Sequence, residues 1–355
     1  MRPTRPARPR TTTRSDERGP RRWPLSWAGS ALLTMLVSTP LSMGCSTVPT
    51  VETPAGREDD PRPGAQEIAE DLAAGLQRPL PPVKVSAAFN KHWRDGRAEL
   101  SGYSVSTLRY GKPRLGHVVL VYVAEPMNSQ TWIKDDDAPG DRRVEVLKLN
   151  HTLNFRTGIY PYSVMTSVFA PLDGLGRERF APAKISLTAQ EWCGQVYQQI
   201  LPKGDRFHSF GHSYFASEGD SRETVPSGGP ALYEDALWIQ LRELDGPFAG
   251  GGDWSGRLVP ALWTARKAHR PLRPVQATIR RGEATRDGVA VTRFTVTHAG
   301  GSRSFDVERA APRRILGWST NEGERAELLK TARLTYWRLN NPGDESYLTQ
   351  LGLQP

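Results

Sequence analysis

Short apolar segments with strand-like patterns follow one another closely along the chain from about Phe89 onward. Residues 116–125 are a near-continuous apolar run, and residues 97–110 carry apolar side chains at intervals. Both segments are rich in β-branched or aromatic residues, and the Gly111 and Pro113 region forms a turn between them, which is typical of paired strands. The later segments repeat this pattern, so the sequence predicts an antiparallel meander in preference to βαβ units.

Other segments show helical spacing. Residues 230–244 begin with proline and repeat apolar positions every three or four residues, which predicts one clear helix within the meander. Residues 65–78 predict a short helix before the strands, and residues 344–353 predict another at the end. Residues 329–339 are interpreted as the last long strand. The predicted fold class is therefore mainly β with few helices (α+β).

The distribution of charge narrows the choice of partners. The 355-residue chain has a formal net charge of +9 and a hydrophobic content of 37%, which is enough for a core. Residues 1–44 contain eight arginines and two acidic residues, so two thirds of the net charge lies there. No stripe of basic residues with interleaved aromatic residues stands out in the rest of the sequence. This distribution argues against nucleic acid as a partner.

The first 45 residues have the three parts of an export signal. Residues 1–22 are arginine-rich, residues 23–43 are largely apolar, and a small residue, Gly44, precedes Cys45. Residues 41–45 resemble the lipobox of bacterial lipoproteins, although Ser42 stands where an aliphatic residue is usual. The resemblance implies that Cys45 becomes the first mature residue and carries lipid. The alternatives are an ordinary cleaved signal with an incidental cysteine, and twin-arginine export through Arg21-Arg22.

The sequence after Cys45 predicts a tether followed by a folded domain. Residues 45–64 are rich in proline, threonine and charge, which is typical of a disordered linker. Residues 65–355 are expected to form a single β-rich domain, with a subdivision considered near residues 245–257. The predicted location is the cell envelope, lipid-anchored to the outer membrane and facing the periplasm, so the membrane is the expected partner.

The second cysteine has two interpretations. If Cys45 is lipidated, Cys193 is the only free thiol, and a disulfide within the chain is excluded. A nucleophilic Cys193 needs a base such as His208 or His212, which Glu191 would orient. The alternative, which the flanking strand pattern favours, is a small thiol packed between strands.

The polar and aromatic residues nearby also leave alternatives open. His208 and His212 lie four residues apart, so on a strand they share a face and form a candidate zinc pair; the alternative is a structural role in the sheet. No metal or cofactor is predicted. Glu234 and Asp235 are interpreted as first-turn acids that complement a helix dipole. Four aromatic residues are candidates either for core packing or for lining an apolar ligand cavity: Trp192, Tyr197, Tyr214 and Phe215.

Several segments together resemble a known family. They include "AELSGYSVSTLRYG", "QEWCGQVYQQ", "EDALWIQLREL" and "RILGWSTNEGERAELLKTARLTYW", and the resemblance covers roughly residues 90–350. The chain is similar to a family of uncharacterised secreted and outer-membrane bacterial lipoproteins. Some members carry a label linking them to the Maf septum-formation inhibitors, but the Ser-x-Ser-Pro-Arg-Arg motif of those enzymes is absent here. The resemblance implies a large curved antiparallel meander that is half-barrel or barrel-like.

These features predict a cell-envelope lipoprotein that acts as a ligand-binding or envelope-assembly module. The expected ligand is apolar or amphipathic, or the partner is another envelope protein. The alternatives are an exported hydrolase that uses Cys193 or the His208/His212 pair, and a structural envelope protein. The sequence contains no nucleophile elbow, metalloprotease motif, phosphate loop or dinucleotide fingerprint, which shifts the interpretation away from an enzyme.

Overall fold

Sixteen strands form one sheet in the computed structural model, which describes residues 84–172 and 180–355. The strands are β1 (Ala98–Arg109), β2 (Lys112–Asn128), β3 (Ile133–Lys134), β4 (Arg143–Thr157), β5 (Tyr160–Pro171), β6 (Lys184–Glu191), β7 (Gly194–Lys203), β8 (Arg206–Ser213), β9 (Asp220–Pro226), β10 (Ala231–Tyr233), β11 (Trp254–Val259), β12 (Val275–Arg286), β13 (Val289–His298), β14 (Gly301–Glu308), β15 (Ile315–Thr320) and β16 (Arg325–Leu334). The predicted mainly β fold with few helices is confirmed.

The helices of the described residues are all short. They are α1 (Ala87–Trp93), α2 (Leu237–Gln240) and α3 (Leu262–Lys267), with 3-10 helices at Glu234–Ala236, Phe248–Gly251, Tyr336–Arg338 and Asp344–Leu351. Within residues 84–172 and 180–355, no helix is both long and apolar enough to cross a membrane. The predicted helix at residues 65–78, the export signal, the lipobox and the linker lie outside the described residues.

The order of the strands makes the sheet curl back towards its own beginning. β10 to β16 are followed by β1, β2 and β4 to β9, with β3 paired to β2. Every named pair is antiparallel except β10 with β11. The two edge strands, β9 and β10, are consecutive in the chain and are separated by residues 227–230. Five residue steps span at most about 18 Å, so the edges are neighbours although the sheet is not closed into a barrel.

Strand β2 shows why its sequence is almost continuously apolar. Val118, Leu120 and Tyr122 point to the main core, whereas Val121 and Val123 belong to a smaller cluster on the opposite face. The C-terminal 3-10 helix covers this opposite face through buried Leu351. The chain approaches so closely that a Cβ on Gly102 would lie 2.3 Å from the carbonyl oxygen of Leu351. Burial on both faces removes the polar half of the usual strand alternation.

The helix predicted at residues 230–244 is much shorter in the structure. Its first residues form β10, which pairs in parallel with β11, and the 3-10 helix and α2 follow. Residues 232–243 are all buried inside the curved sheet. Trp238 lies at the centre, where its ring is 4.7 Å from that of Trp318 and 4.8 Å from that of Phe305. A segment that is enclosed on every side has no polar face. The spacing of its apolar residues therefore does not show where a helix begins or ends.

Near the end of the chain, the last strand and the terminal helix both end earlier than predicted, at Leu334 instead of Leu339 and at Leu351 instead of Leu353. The last strand ends at Leu334, and a 3-10 helix at Tyr336–Arg338 replaces the end of the predicted strand. The predicted terminal helix is present as the 3-10 helix Asp344–Leu351. Near residues 245–257, β11 follows the buried segment and continues the same sheet.

Candidate functional site

Cys193 lies in the tight turn between β6 and β7, where Glu191 pairs with Gly194. The thiol is exposed, so the interpretation of Cys193 as a packed residue is wrong; turn residues project beyond the paired strands instead of into the core. The Glu191 carboxylate accepts a hydrogen bond from the Cys193 backbone N–H at 2.7 Å. A hydrogen bond to Glu191 and the charge of that carboxylate raise the pKa of the Cys193 thiol. A nucleophilic thiol needs the opposite shift.

The two histidines are not brought to Cys193. His212 pairs with Tyr197 and His208 with Leu201, so the two lie about 13 Å and about 26 Å along the sheet from Cys193, at about 3.3 Å per residue. Each histidine has a local partner: the Nδ1 of His208 is 3.0 Å from Thr224 Oγ1, and that of His212 is 3.0 Å from Asp220 Oδ1. The proposed cysteine–histidine catalytic group is therefore not assembled.

The structure also separates the candidate zinc ligands. His208 and His212 share the outer face of β8 as predicted, but four strand residues place them about 13 Å apart. Zinc–nitrogen bonds are only about 2 Å long, so one ion cannot reach both. In residues 84–172 and 180–355, no three His, Cys, Asp or Glu residues are grouped closely enough to hold a metal ion.

The four candidate aromatic residues occupy different environments. Trp192 and Tyr214 are largely exposed at the turns after β6 and β8. Tyr197 lies on the outer face and stacks on His212, with its hydroxyl donating to Gln199 at 2.8 Å. Phe215 is half-buried, and the guanidinium of Arg266 lies over its ring at 4.9 Å. These side chains do not form a single concave lining.

Glu234 and Asp235 do more than the sequence indicated. Both are buried, and their carboxylates accept the backbone N–H groups of Ala261 and Leu262 at 3.0 and 2.9 Å, which holds the start of α3 against the central segment. Glu234 also pairs with Arg303 at 3.0 Å. The sequence did contain a signal for this role, namely two adjacent acids inside an otherwise apolar segment. Acidic side chains are buried only when they are paired, so such a position indicates partners inside the fold.

Burial acts on the two acids with opposite results. Burial opposes ionisation of Glu234, but Arg303 and His298 outweigh it and lower its pKa to about 2. Asp235 has weaker compensation, so burial, with the charge of Glu234 added, raises its pKa to about 7. Removal from water lowers the pKa of the neighbouring His151 to about 4.

A small central cavity lies beside Asp235. It is bordered by His151, Trp238, Trp263 and Arg303, among others, and has a volume of about 30 Å³. Such a volume holds roughly two water molecules. Among the described residues, the buried Nε1 of Trp263 and Nε of Arg303 have no hydrogen-bond partner, which suits water. The small volume leaves no room for an organic ligand.

A larger pocket, the β9-edge pocket, lies on the concave face where β7, β8 and β9 meet α3 and residues 268–273. It has a volume of about 280 Å³. On the sheet side it is lined by Gln198, Ser209, Ser221 and Glu223, and on the other side by Arg266, His269 and Arg273; Tyr197 and His212 also border it.

The polarity of the concave face changes along β8 and β9. Phe207 pairs with Val225 in the apolar core, but the next inward pair is Ser209 with Glu223. Gln198 Nε2 donates to Ser209 Oγ at 3.3 Å. The β9-edge pocket therefore offers hydroxyl, amide and carboxylate groups where the rest of the concave face offers hydrocarbon.

Ion pairs flank the β9-edge pocket. Glu223 pairs with Arg273 at 2.8 Å, and Glu218 contacts both Arg266 and the Nδ1 of His269, the latter at 2.7 Å. These pairs tie the sheet edge to α3 and the segment that follows it. Being partly exposed, they are of modest strength and can exchange partners with a bound polar group.

A wider groove of about 880 Å³ lies at the opposite end of the sheet, between α1, residues 243–246 and residues 311–313. Two ion pairs border it: Asp95 with Arg333, and Glu243 with Arg313 at 3.2 Å. Ser86 borders this groove, and the chain that precedes residue 84 lies outside the described residues. All residues that border the β9-edge pocket are described, and its inward polar side chains face open space, so we take it as the candidate site.

Compared with protein-family models, curated proteins and solved structures, the chain matches none. The resemblance to envelope lipoproteins stays a prediction. The interpretation of the site consequently depends on its residues alone.

Proposed function

We propose that the protein is a lipid-anchored binding module of the cell envelope that takes up a small polar or amphipathic molecule in the β9-edge pocket. Cys45 would carry the anchor, and the periplasmic face of the outer membrane would be the location. The protein would act by binding, without catalysis.

The observation that carries this proposal is the change from apolar to polar side chains on the concave face. Inward positions of a sheet that covers a core are normally apolar, because an unsatisfied buried polar group costs about 1–3 kcal/mol. Here Ser209, Ser221 and Gln198 face a space of about 280 Å³ instead of packed neighbours. A few convergent polar groups in a concave site are typical of small-molecule binding.

The lining also favours one class of ligand. Negatively charged carboxylates and positively charged guanidinium groups border the pocket, and Val196 and Leu272 contribute apolar surface. A ligand with several hydroxyl or amide groups, or a zwitterion with an apolar part, would satisfy these groups. A purely apolar ligand would leave them without partners, which is unfavourable.

The test is native mass spectrometry of the full chain extracted from its own cell envelope. We expect a co-purifying small molecule with the parent protein and its loss from Ser221→Phe, because the new ring would fill the pocket above Gly211. The matched control is Ser104→Phe, which adds the same ring at an exposed position of β1.

Two outcomes would contradict the proposal. One is that the parent carries no small molecule; the other is that both phenylalanine variants retain it equally. In the same preparations, the mass of the N-terminal peptide tests the anchor separately: lipid on Cys45 is expected, and an unmodified or missing Cys45 would remove this part of the proposal.

A further inference from the structure

The turns β1–β2 and β4–β5 form a surface that the pocket does not use. We call it the basic rim, defined as residues 109–115 and 156–160. The two turns are adjacent because Gly116 of β2 pairs with Phe155 of β4. Three large apolar or aromatic side chains stand exposed on it: Tyr110 at 59%, Leu115 at 82% and Ile159 at 76%. Single exposed apolar residues are common, but a group of them on neighbouring turns indicates an interaction surface.

The charges of the basic rim all have one sign. Residues 107–117 and 154–163 contain four Lys or Arg residues and no acidic residue: Arg109, Lys112, Arg114 and Arg156. Within the described residues, none of these four forms an ion pair with a carboxylate. A nearby acid, Glu324, is half-buried and bound to Thr107 Oγ1 at 2.7 Å. The rim therefore presents unneutralised positive charge.

The rim side chains are held in place by one another. Arg109 lies over the ring of Tyr110 at 4.4 Å, and the hydroxyl groups of Tyr110 and Tyr162 are 2.9 Å apart. Tyr160 lies on the side of the rim that faces the β6–β7 turn, and its ring is 6.4 Å from that of exposed Trp192. Fixed aromatic side chains lose little conformational entropy when they bind a surface.

We propose that the basic rim docks on a bilayer surface that carries anionic headgroups. The lysine and arginine side chains of the rim would contact the headgroups, and its tyrosines, with the neighbouring Trp192, would lie at the level of the interface. Leu115 and Ile159 would reach the hydrocarbon boundary. Single-stranded nucleic acid also binds basic and aromatic surfaces, but its bases stack on aromatic rings. Binding to nucleic acid would not explain the two exposed aliphatic side chains. The proposal goes beyond the pocket and does not depend on its ligand.

The chain length allows this docking to act together with a lipid on Cys45. Lys84, where the described residues begin, precedes Ala98 at the end of the sheet opposite the rim, and β1 spans about 40 Å at 3.3 Å per residue. Lys84 lies thirty-nine residue steps after Cys45 in the sequence. Such a length reaches up to about 130 Å, so the rim and the lipid can contact the same membrane. Docking would then fix the orientation of the β9-edge pocket relative to the bilayer.

Cys193 supplies the probe for the test, because it is exposed on the turn beside Trp192. In the full chain with Cys45→Ser, an environment-sensitive fluorophore is attached to Cys193 and mixed with vesicles of equal parts phosphatidylcholine and phosphatidylglycerol. We expect a blue shift with these vesicles and none with pure phosphatidylcholine. The double variant Lys112→Glu/Arg114→Glu should weaken the binding that causes the shift by roughly 30-fold or more, since each basic residue near such a surface contributes about fivefold.

The control makes the same charge change at the other end of the sheet. Lys203→Glu/Arg206→Glu, at the β7–β8 turn, should leave the shift within about twofold of the parent. The basic leader is present in all variants, so only a loss specific to the rim supports the proposal. A second variant, Leu115→Ser/Ile159→Ser, should keep the salt dependence of binding but reduce the size of the shift.

Three results would overturn the proposal. The first is an unchanged probe with anionic vesicles. The second is an equal loss of binding in both charge-reversed pairs. The third is a probe that responds to single-stranded DNA or polyglutamate and not to vesicles. The far-UV circular dichroism of every variant should match the parent, because all substituted side chains lie at turns or on the exposed surface. Failure of this test leaves the pocket experiment unaffected, so the two proposals are distinguishable.

Discussion

Alternate residues of the strands point to the concave face both at its centre and at its β9 edge, but their side chains have different roles in the two regions. At the centre, Trp238 and the rings around it fill the space, and buried Glu234 is held by an ion pair with the largely enclosed Arg303. At the β9 edge, Ser209 and Ser221 face an open pocket, and the ion pairs beside it are partly exposed. The difference shows that charge at the centre is structural, whereas charge at the edge remains accessible to a ligand.

The strongest test of this comparison removes one arginine from each region. Arg303→Met leaves Glu234 buried without its main counter-ion, and we expect the free energy of unfolding to fall by about 3–5 kcal/mol. Arg273→Met breaks the exposed pair with Glu223 and should cost about 1 kcal/mol or less. Urea denaturation followed by circular dichroism measures both. Similar losses in the two variants would refute the structural distinction between centre and edge.

A second test uses pH. Because the pKa of Asp235 is raised from 3.8 to about 7, the folded state holds a proton between these values that the unfolded state has released. The contribution of Asp235 to stability is thus complete below about pH 4, falls by at most about 1.4 kcal/mol per pH unit as the pH rises, and is lost above about pH 7.

Asp235→Asn should remove this fall while keeping an acceptor for the N–H of Leu262. The measurement is the free energy of unfolding at several pH values between 4 and 7. The control is Asp220→Asn, an exposed carboxylate on β9. If the slope of stability against pH is the same in Asp235→Asn and the parent, Asp235 is not protonated in the folded state over this pH range.

The smallest effect is expected at Cys193. Its thiol is exposed in a turn, so Cys193→Ser should change stability by no more than about 0.5 kcal/mol. Growth and ligand retention should also be unchanged, because neither His208 nor His212 lies beside the thiol and Glu191 raises the thiol pKa, which disfavours the nucleophilic thiolate. Loss of either function with an intact fold would restore the cysteine as a functional residue.

Strand patterns predicted much of the fold, and their failures have physical causes. Alternation and turn residues predicted the meander, because each hairpin is a local feature of the sequence. The helix at residues 230–244 was overestimated because a fully enclosed segment is apolar on every side. His208 and His212 were predicted to share a face, which is right, but spacing along a strand sets a distance that a metal ion cannot bridge.

The sites were harder to predict than the strands. The β9-edge pocket combines β7 to β9 with residues 265–273, and the basic rim combines two turns about 45 residues apart; neither combination is visible as a motif. The rim is not visible as a long basic stripe in the sequence, because residues 109–115 hold only three basic residues and the fourth, Arg156, comes from another hairpin. The strand patterns on both sides of Cys193 favoured a packed thiol over a nucleophile, because they do not show that the chain turns at this residue.

The sequence by itself determined the β character of the chain, its hairpin turns and the signals that predict export, because these depend on residues close together in the chain. The tertiary structure alone decided which apolar segment is enclosed, which acids are buried and which turns become neighbours. Those features arise from strand pairing and from the curling of the sheet, which bring distant residues into contact and remove some of them from water.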